Sequence, residues 1–335
     1  MERNLNDIPT GPVGFTCPVE ISIESLSITG PNINTEPEIP IPPPLSPSPV
    51  PPPLVVPKSG DFDTLVLSGG SVHAIIMLGA LQYADDNYLL NKINRYVGTS
   101  AGAMCGYLLA IGYTPIEIMV FLCTKQMLEK MKNFNVVAMM NGSGATSFSH
   151  IHEQLEKMTI EKLGQLITLG DLYNKYNKEL ICVTHNITSD KLELLSHETY
   201  PDMPCLIALR MSANLPFIFD HFKYLGSFYI DGGISNNFPV DIADDKGGKV
   251  LGLVIHNTSR NFRDDKSNMV EYMYQLMAIP IKQNVLNRIS SVSDRCTIVI
   301  LKPDNTPFFD FTLDTHAKLE MFSNGYIQMK EYWEN

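Results

Sequence analysis

Gly98-Thr99-Ser100-Ala101-Gly102 constrains this chain more than any other stretch, because two glycines flank a serine where a short apolar strand gives way to an apolar helix. The strand is expected over Arg95 to Gly98, and the helix from Ala101 through Met104, Leu108 and Leu109 to a stop near Gly112. The glycines remove the Cβ atoms that would clash where strand and helix double back on each other. The serine then sits at a helix N-terminus, where unpaired N–H groups and the helix dipole favour developing negative charge. A tight strand-helix turn of small residues satisfies the same pattern without chemistry, so the turn has to be read with its surroundings.

Upstream, Thr64-Leu65-Val66-Leu67-Ser68 is an apolar run that ends in Gly69-Gly70-Ser71 and opens a second helical pattern, with Ala74, Met77, Leu78 and Leu81 at helical spacing. A glycine turn between strand and helix gathers backbone N–H groups at one point, and such a nest can hold an oxyanion as well as a phosphate. The phosphate reading is the weaker one, because neither the Lys-Ser/Thr of a P-loop nor a full G-x-G-x-x-G is present. Downstream, Phe228-Tyr229-Ile230-Asp231-Gly232-Gly233 runs a strand into an acid and two glycines. It is preceded by Ser212-Ala213-Asn214-Leu215-Pro216 and followed by Asn236-Asn237-Phe238-Pro239-Val240.

With these three pieces in this order, the chain resembles the patatin-like phospholipase family from about Asp61 to Leu251. The resemblance implies a three-layer α/β/α fold with a mostly parallel central sheet. It also implies lipid acyl hydrolysis through an acyl-enzyme, with Ser100 as nucleophile and Asp231 as its base. Gly69, Gly70, Ser71 and Ala101 would supply oxyanion N–H groups, with His73, Gly98, Gly102, Gly232 and Gly233 supporting the motifs. Two positions depart from the family's Gly-Gly-Gly-x-Arg/Lys-Gly loop: Ser71 stands for a glycine and His73 for the cation. A catalytically weak lipid-binding protein on the same fold is one alternative. The other is an α/β-hydrolase with a Ser-Asp-His triad, for which His256 and His316 are the candidate histidines.

Alternating apolar strands and helical patterns give an α/β chain with helices on both faces of a largely parallel sheet. The elements expected are a strand at Thr64 to Ser68, helices at Ala74 to Leu90 and Pro115 to Met131, and strands at Glu179 to His185 and Lys191 to Leu195. A helix around Cys205 to Ser212 and strands near Phe228, Val250 and Cys296 complete the reading. Residues 1–30 form an extension expected to be poorly ordered, 31–60 a proline-rich linker with capacity to dock a protein partner, and 61–335 the catalytic domain. Met127, Met131, Met139 and Met140 read as core filler that could also line an acyl groove.

A net charge of −11 argues against nucleic acid, while Lys125, Lys130 and Lys132 offer a local patch for peripheral membrane contact. Neither a transmembrane run nor a secretory h-region is present, so a cytoplasmic protein with peripheral membrane association is expected. Six scattered cysteines fit reduced, buried thiols. His150 and His152, two apart, cannot share a helix face, and no metal or other cofactor is expected; the substrate is a phospholipid or other acyl lipid.

Overall fold

A computed structural model describes residues 61–124, 135, 144–256, 269–303, 306 and 311–335. The extension and linker at 1–60, the lysines Lys125, Lys130 and Lys132, and the four methionines from Met127 to Met140 lie outside the described residues.

Among the described residues, eight strands form one sheet: β1 (Thr64–Leu67), β2 (Arg95–Thr99), β3 (Glu179–Asn186), β4 (Lys191–Leu195), β5 (Phe222–Tyr224), β6 (Ser227–Asp231), β7 (Val250–Ile255) and β8 (Cys296–Leu301). The order is β5-β6-β3-β2-β1-β7-β8, with β4 also pairing to β3. The pairs from β3 through β2, β1 and β7 to β8 are parallel, whereas β4, β5 and β6 pair antiparallel. The parallel strands are near-continuous apolar runs because both their faces are covered. Leu65 and Leu67 enter one core, and Val66 enters the other with Val97, Ile181, Val250 and Val254.

Helices α1 (Ala74–Asp86), α2 (Ala101–Ala110), α3 (Pro115–Thr124), α4 (Ser149–Leu163), α5 (Leu169–Tyr176) and α6 (Cys205–Ser212) follow in chain order. After them come α7 (Gly233–Asn236), α8 (Val240–Asp245), α9 (Met269–Ile289) and α10 (Thr315–Glu334). Residues of α1, α2, α4, α6 and α10 fill the larger core; Val240 and Ala243 of α8 and Val285 of α9 fill the core on the opposite face. This is the expected three-layer arrangement. The first helix stops at Asp86 rather than Leu90, because Tyr88 takes a φ of 61° and closes a turn. Gly79 on α1 and Gly325 on α10 leave no room for a Cβ against the other helix's backbone, so the two helices touch directly.

The pairing around β3 positions the site. Val183 pairs with Thr99 on one edge and Leu194 on the other; the next residue, Thr184, pairs with Asp231 and Glu193. Since β4 occupies one edge from Cys182 to Asn186, β2 and β6 share the other edge, and their C-terminal ends meet on consecutive residues of β3. Ser100 follows Thr99 directly, so residues far apart in sequence converge by register alone.

Among the described residues, no single helix is long and apolar enough to cross a membrane; α2 and α3 reach that hydropathy only as a pair bent by 119°. The described cysteines are all free thiols. Burial pushes Cys105 up to about 12, which makes it a core filler rather than a nucleophile.

Candidate active site

Ser100 stands at the N-terminus of α2 with φ 56° and ψ −124°, a backbone conformation that a residue with a Cβ adopts only under strain. The flanking glycines make the turn possible. A Cβ on Gly98 would lie 2.7 Å from the Cα and N of Ala103, and one on Gly102 would strike the carbonyls of Leu67 and Ser68. The Ser100 side chain remains accessible through two cavities, although the residue is only 7% exposed.

Asp231 ends β6 and is buried to 2% exposure. Burial pushes its carboxyl from 3.8 up to about 6, against the stabilising Ser100 hydroxyl and Gly233 N–H. Oδ1 accepts the Gly233 N–H at 2.7 Å, while Oδ2 has no hydrogen bond within 3.5 Å among the described residues. The Ser100 hydroxyl is thus a neighbour of the carboxylate rather than a tightly bonded partner. Catalytic hydrogen bonds often tighten only once substrate is bound. Gly232 and Gly233 serve this geometry: a Cβ on Gly232 would strike the Val183 carbonyl, and one on Gly233 would lie 2.9 Å from Asp231 Oδ1.

The loop after β1 divides its tasks. The N–H groups of Gly70, Ser71 and Ala101 make no hydrogen bond among the described residues, which leaves three donors around the serine. Gly69 differs from expectation. Its N–H already donates to the Asn237 carbonyl at 3.0 Å, and Asn237 Nδ2 donates back to the Gly69 carbonyl at 3.3 Å. What Gly69 provides is close approach: a Cβ there would lie 3.4 Å from the Ser100 Cβ and collide with Asn237 Oδ1. Ser71 holds a φ of 49°, so the position that the family fills with glycine is left-handed here too. His73 is fully buried and its Nε2–H donates to the Thr306 carbonyl at 2.9 Å, which places the imidazole in the loop's support.

Residues 212–214 tie the two halves together, a role their sequence alone did not disclose. The Ser100 N–H donates to Ser212 Oγ at 3.0 Å, and that hydroxyl donates to the Val183 carbonyl at 2.6 Å. The Gly232 N–H donates to the Ser212 carbonyl, and the Asp231 N–H to the Asn214 carbonyl at 2.9 Å. Arg210, buried and without a carboxylate ion pair among the described residues, donates to Asn214 Oδ1 and to the Asp220 carbonyl. The rings of Phe148, Phe219 and Phe222 lie within 6 Å of its guanidinium.

No histidine joins Ser100 or Asp231 among the described residues. His256 donates its backbone N–H to Leu301 at the end of β7, and His316 lies on the exposed start of α10 beside Glu320. His150 and His152 lie on α4. Glu179, His197 and Glu198 are clustered elsewhere, with both carboxylates engaged by Lys246 and Glu179 also by Arg95.

Ser100 lies on the wall between two cavities. One, of about 920 Å³ including open solvent at its mouth, is apolar and bounded by α1 to α4, with Met104, Leu108, Phe121, Leu155 and Phe219 in its lining. The other, of about 770 Å³, contains Asp231, Gly69, Gly70, His73 and a turn of α9. Among the described residues, only Ser100 and Leu215 line both.

The family described as Patatin-like phospholipase matches residues 65–244. The chain is 33% identical over 270 residues to the "Probable lipid hydrolase 463L" of Invertebrate iridescent virus 6, covering 79% of this chain and 86% of that protein. It is 28% identical over 285 residues to the uncharacterized protein R571 of Acanthamoeba polyphaga mimivirus, covering 82% and 94%. Among solved structures it is similar to VipD from Legionella pneumophila, at 18% identity and a TM-score of 0.47, covering 82% of this chain and 67% of that one. With the family match spanning more than half of its length and a viral relative aligned across most of both sequences, the chain belongs to the patatin-like phospholipase family.

Proposed function

We propose that this protein is a lipid acyl hydrolase that cleaves carboxylic esters of phospholipids or lysophospholipids with a Ser100–Asp231 dyad. The observation that carries the reading is the position of Ser100. It has an apolar cavity on one side, the buried Asp231 on the other, and beside it three N–H groups that make no hydrogen bond among the described residues. The family, and a relative named as a probable lipid hydrolase, support the lipid substrate.

The steps follow from the groups present. Ser100 Oγ attacks the ester carbonyl carbon while its proton passes to Asp231, and the carbonyl oxygen becomes an oxyanion facing the N–H groups of Gly70, Ser71 and Ala101. The carbon–oxygen bond to the alcohol then breaks, Asp231 returns the proton to the leaving oxygen, and the acyl group stays on Ser100. A water molecule gives its proton to Asp231 and attacks the acyl-enzyme; collapse releases the fatty acid and restores the seryl hydroxyl. A carboxyl near 6 suits both roles at neutral pH, since it is mostly ionised yet basic enough to hold a proton transiently. The enzyme meets its substrate at a lipid surface, and among the described residues no single helix is long and apolar enough to cross it.

A fluorophosphonate probe tests the nucleophile. The expected result is one covalent adduct that peptide mass spectrometry maps to Ser100 and that Ser100→Ala abolishes in a folded protein. An adduct elsewhere, or none on folded wild-type protein, contradicts the assignment.

A further inference from the structure

The cavity that contains Asp231 holds a second charged side chain, one that the acyl-transfer steps leave unused. Lys282 lies on α9, where Met277, Ala278, Ile281 and Lys282 form the face turned to the cavity. The lysine is half-buried, and its ammonium has no hydrogen bond or ion pair among the described residues. An ammonium at a cavity wall with no ion pair among the described residues can take an anionic group of a ligand as its counter-ion.

The neighbouring strand ends add to the positive charge. His256 N–H donates to the Leu301 carbonyl at 2.9 Å, so Lys302 follows directly beside it at the carboxyl ends of β7 and β8. Burial, and then the nearby Lys282 and Lys302, hold the His256 imidazole below its ordinary value. Ligands of open α/β sheets bind outside these carboxyl ends.

The two cavities fix the direction in which a substrate lies. An acyl chain at Ser100 takes the apolar cavity of Met104 and Leu155, which sends the leaving alcohol toward Asp231, where it must collect its proton. In a glycerophospholipid only two or three glycerol carbons separate that ester oxygen from the phosphate ester. We infer that Lys282, supported by Lys302, binds the phosphate carried by the leaving alcohol, so that the enzyme selects phosphate-bearing acylglycerols over neutral ones. This inference rests on the acyl-hydrolase reading of Ser100.

The test uses the full chain and two short-chain, monomeric substrates below their aggregation concentrations, dihexanoyl phosphatidic acid and dihexanoylglycerol. Monomers separate a head-group contact from attraction to a charged lipid surface. Lys282→Glu is expected to lower the ratio of kcat/KM values, phosphatidic acid over diacylglycerol, by about tenfold or more, mainly through KM. Lys282→Arg retains most of the ratio. Lys191→Glu, the same charge change at the exposed start of β4, leaves the ratio as in wild type. Calorimetric titration with glycerol 3-phosphate supplies a readout independent of turnover, with binding weakened about tenfold by Lys282→Glu. Equal ratios and equal glycerol 3-phosphate binding in wild type and Lys282→Glu overturn the inference. Loss of turnover on both substrates in every protein, with the binding difference intact, would instead remove the hydrolase reading and leave the phosphate site standing.

Discussion

Asp231→Asn should stabilise the protein at pH 8 while removing its activity. The native carboxyl ionises near 6 and an unfolded aspartate near 3.8, because burial disfavours the charge. Between those values the unfolded state binds fewer protons than the native state, so folding stability falls as pH rises, and the penalty is complete above the native value. At ~1.4 kcal/mol per pH unit, the gap corresponds to about 3 kcal/mol of native destabilisation at pH 8. Asparagine carries no charge, has the same shape, and can still accept the Gly233 N–H through its amide oxygen. A gain of about 3 kcal/mol amounts to a Tm increase on the order of 5–10 °C for a domain of this size. Thermal melts of wild type and Asp231→Asn at pH 8 and pH 4 provide the assay, with the gain shrinking toward zero at the lower pH. A variant that melts no higher than wild type at pH 8, or that keeps its full advantage at pH 4, refutes the claim that Asp231 is held as a costly buried carboxylate.

Ser71→Gly should raise stability by about 1 kcal/mol, measured by urea titration, since φ 49° strains serine and not glycine, and hydrolysis should persist because the backbone donor is kept. Ser212→Ala should lower turnover about 10- to 100-fold with a modest loss in Tm, because the Ser100 N–H loses its acceptor and the strained turn its anchor. Wild-type turnover in Ser212→Ala would show that the turn holds itself.

The parts of the site that sequence reveals are those made by local steric demands. Gly98 and Gly102 mark the Ser100 turn because no other residue lets α2 fold back on β1 and β2, and the strand-glycine-helix grammar around Gly70 has the same cause. The partnership of Ser100 with Asp231 is of another kind. It depends on β2 and β6 meeting on adjacent residues of β3, a register that no local pattern encodes, and resemblance to a family supplied it where periodicity did not. The same limit applies to Gly69, which looks like its loop neighbours yet loses its N–H to Asn237 across the chain. Ser212 is a polar residue at a helix end, and its bonds to Ser100 and Val183 exist only once the sheet is assembled. The short β5 and the long α9, which closes the Asp231 cavity, were not read from sequence at all. In β5 three residues are too few for alternation to register, and α9 carries Pro280 inside a helix whose apolar positions are spread around its circumference.

The central claim, that Asp231 and no histidine takes the proton of Ser100, is tested most directly by steady-state hydrolysis of a neutral chromogenic acyl ester at pH 7.5 or similar, about the range in which general-base assistance is read cleanly. Wild type, Asp231→Asn and His256→Gln are compared, with melts confirming that each is folded. Asp231→Asn should lose about 10²–10⁴ in turnover, and His256→Gln should stay within about tenfold of wild type. A folded, active Asp231→Asn beside a folded, inactive His256→Gln would contradict the dyad and assign the proton to a histidine.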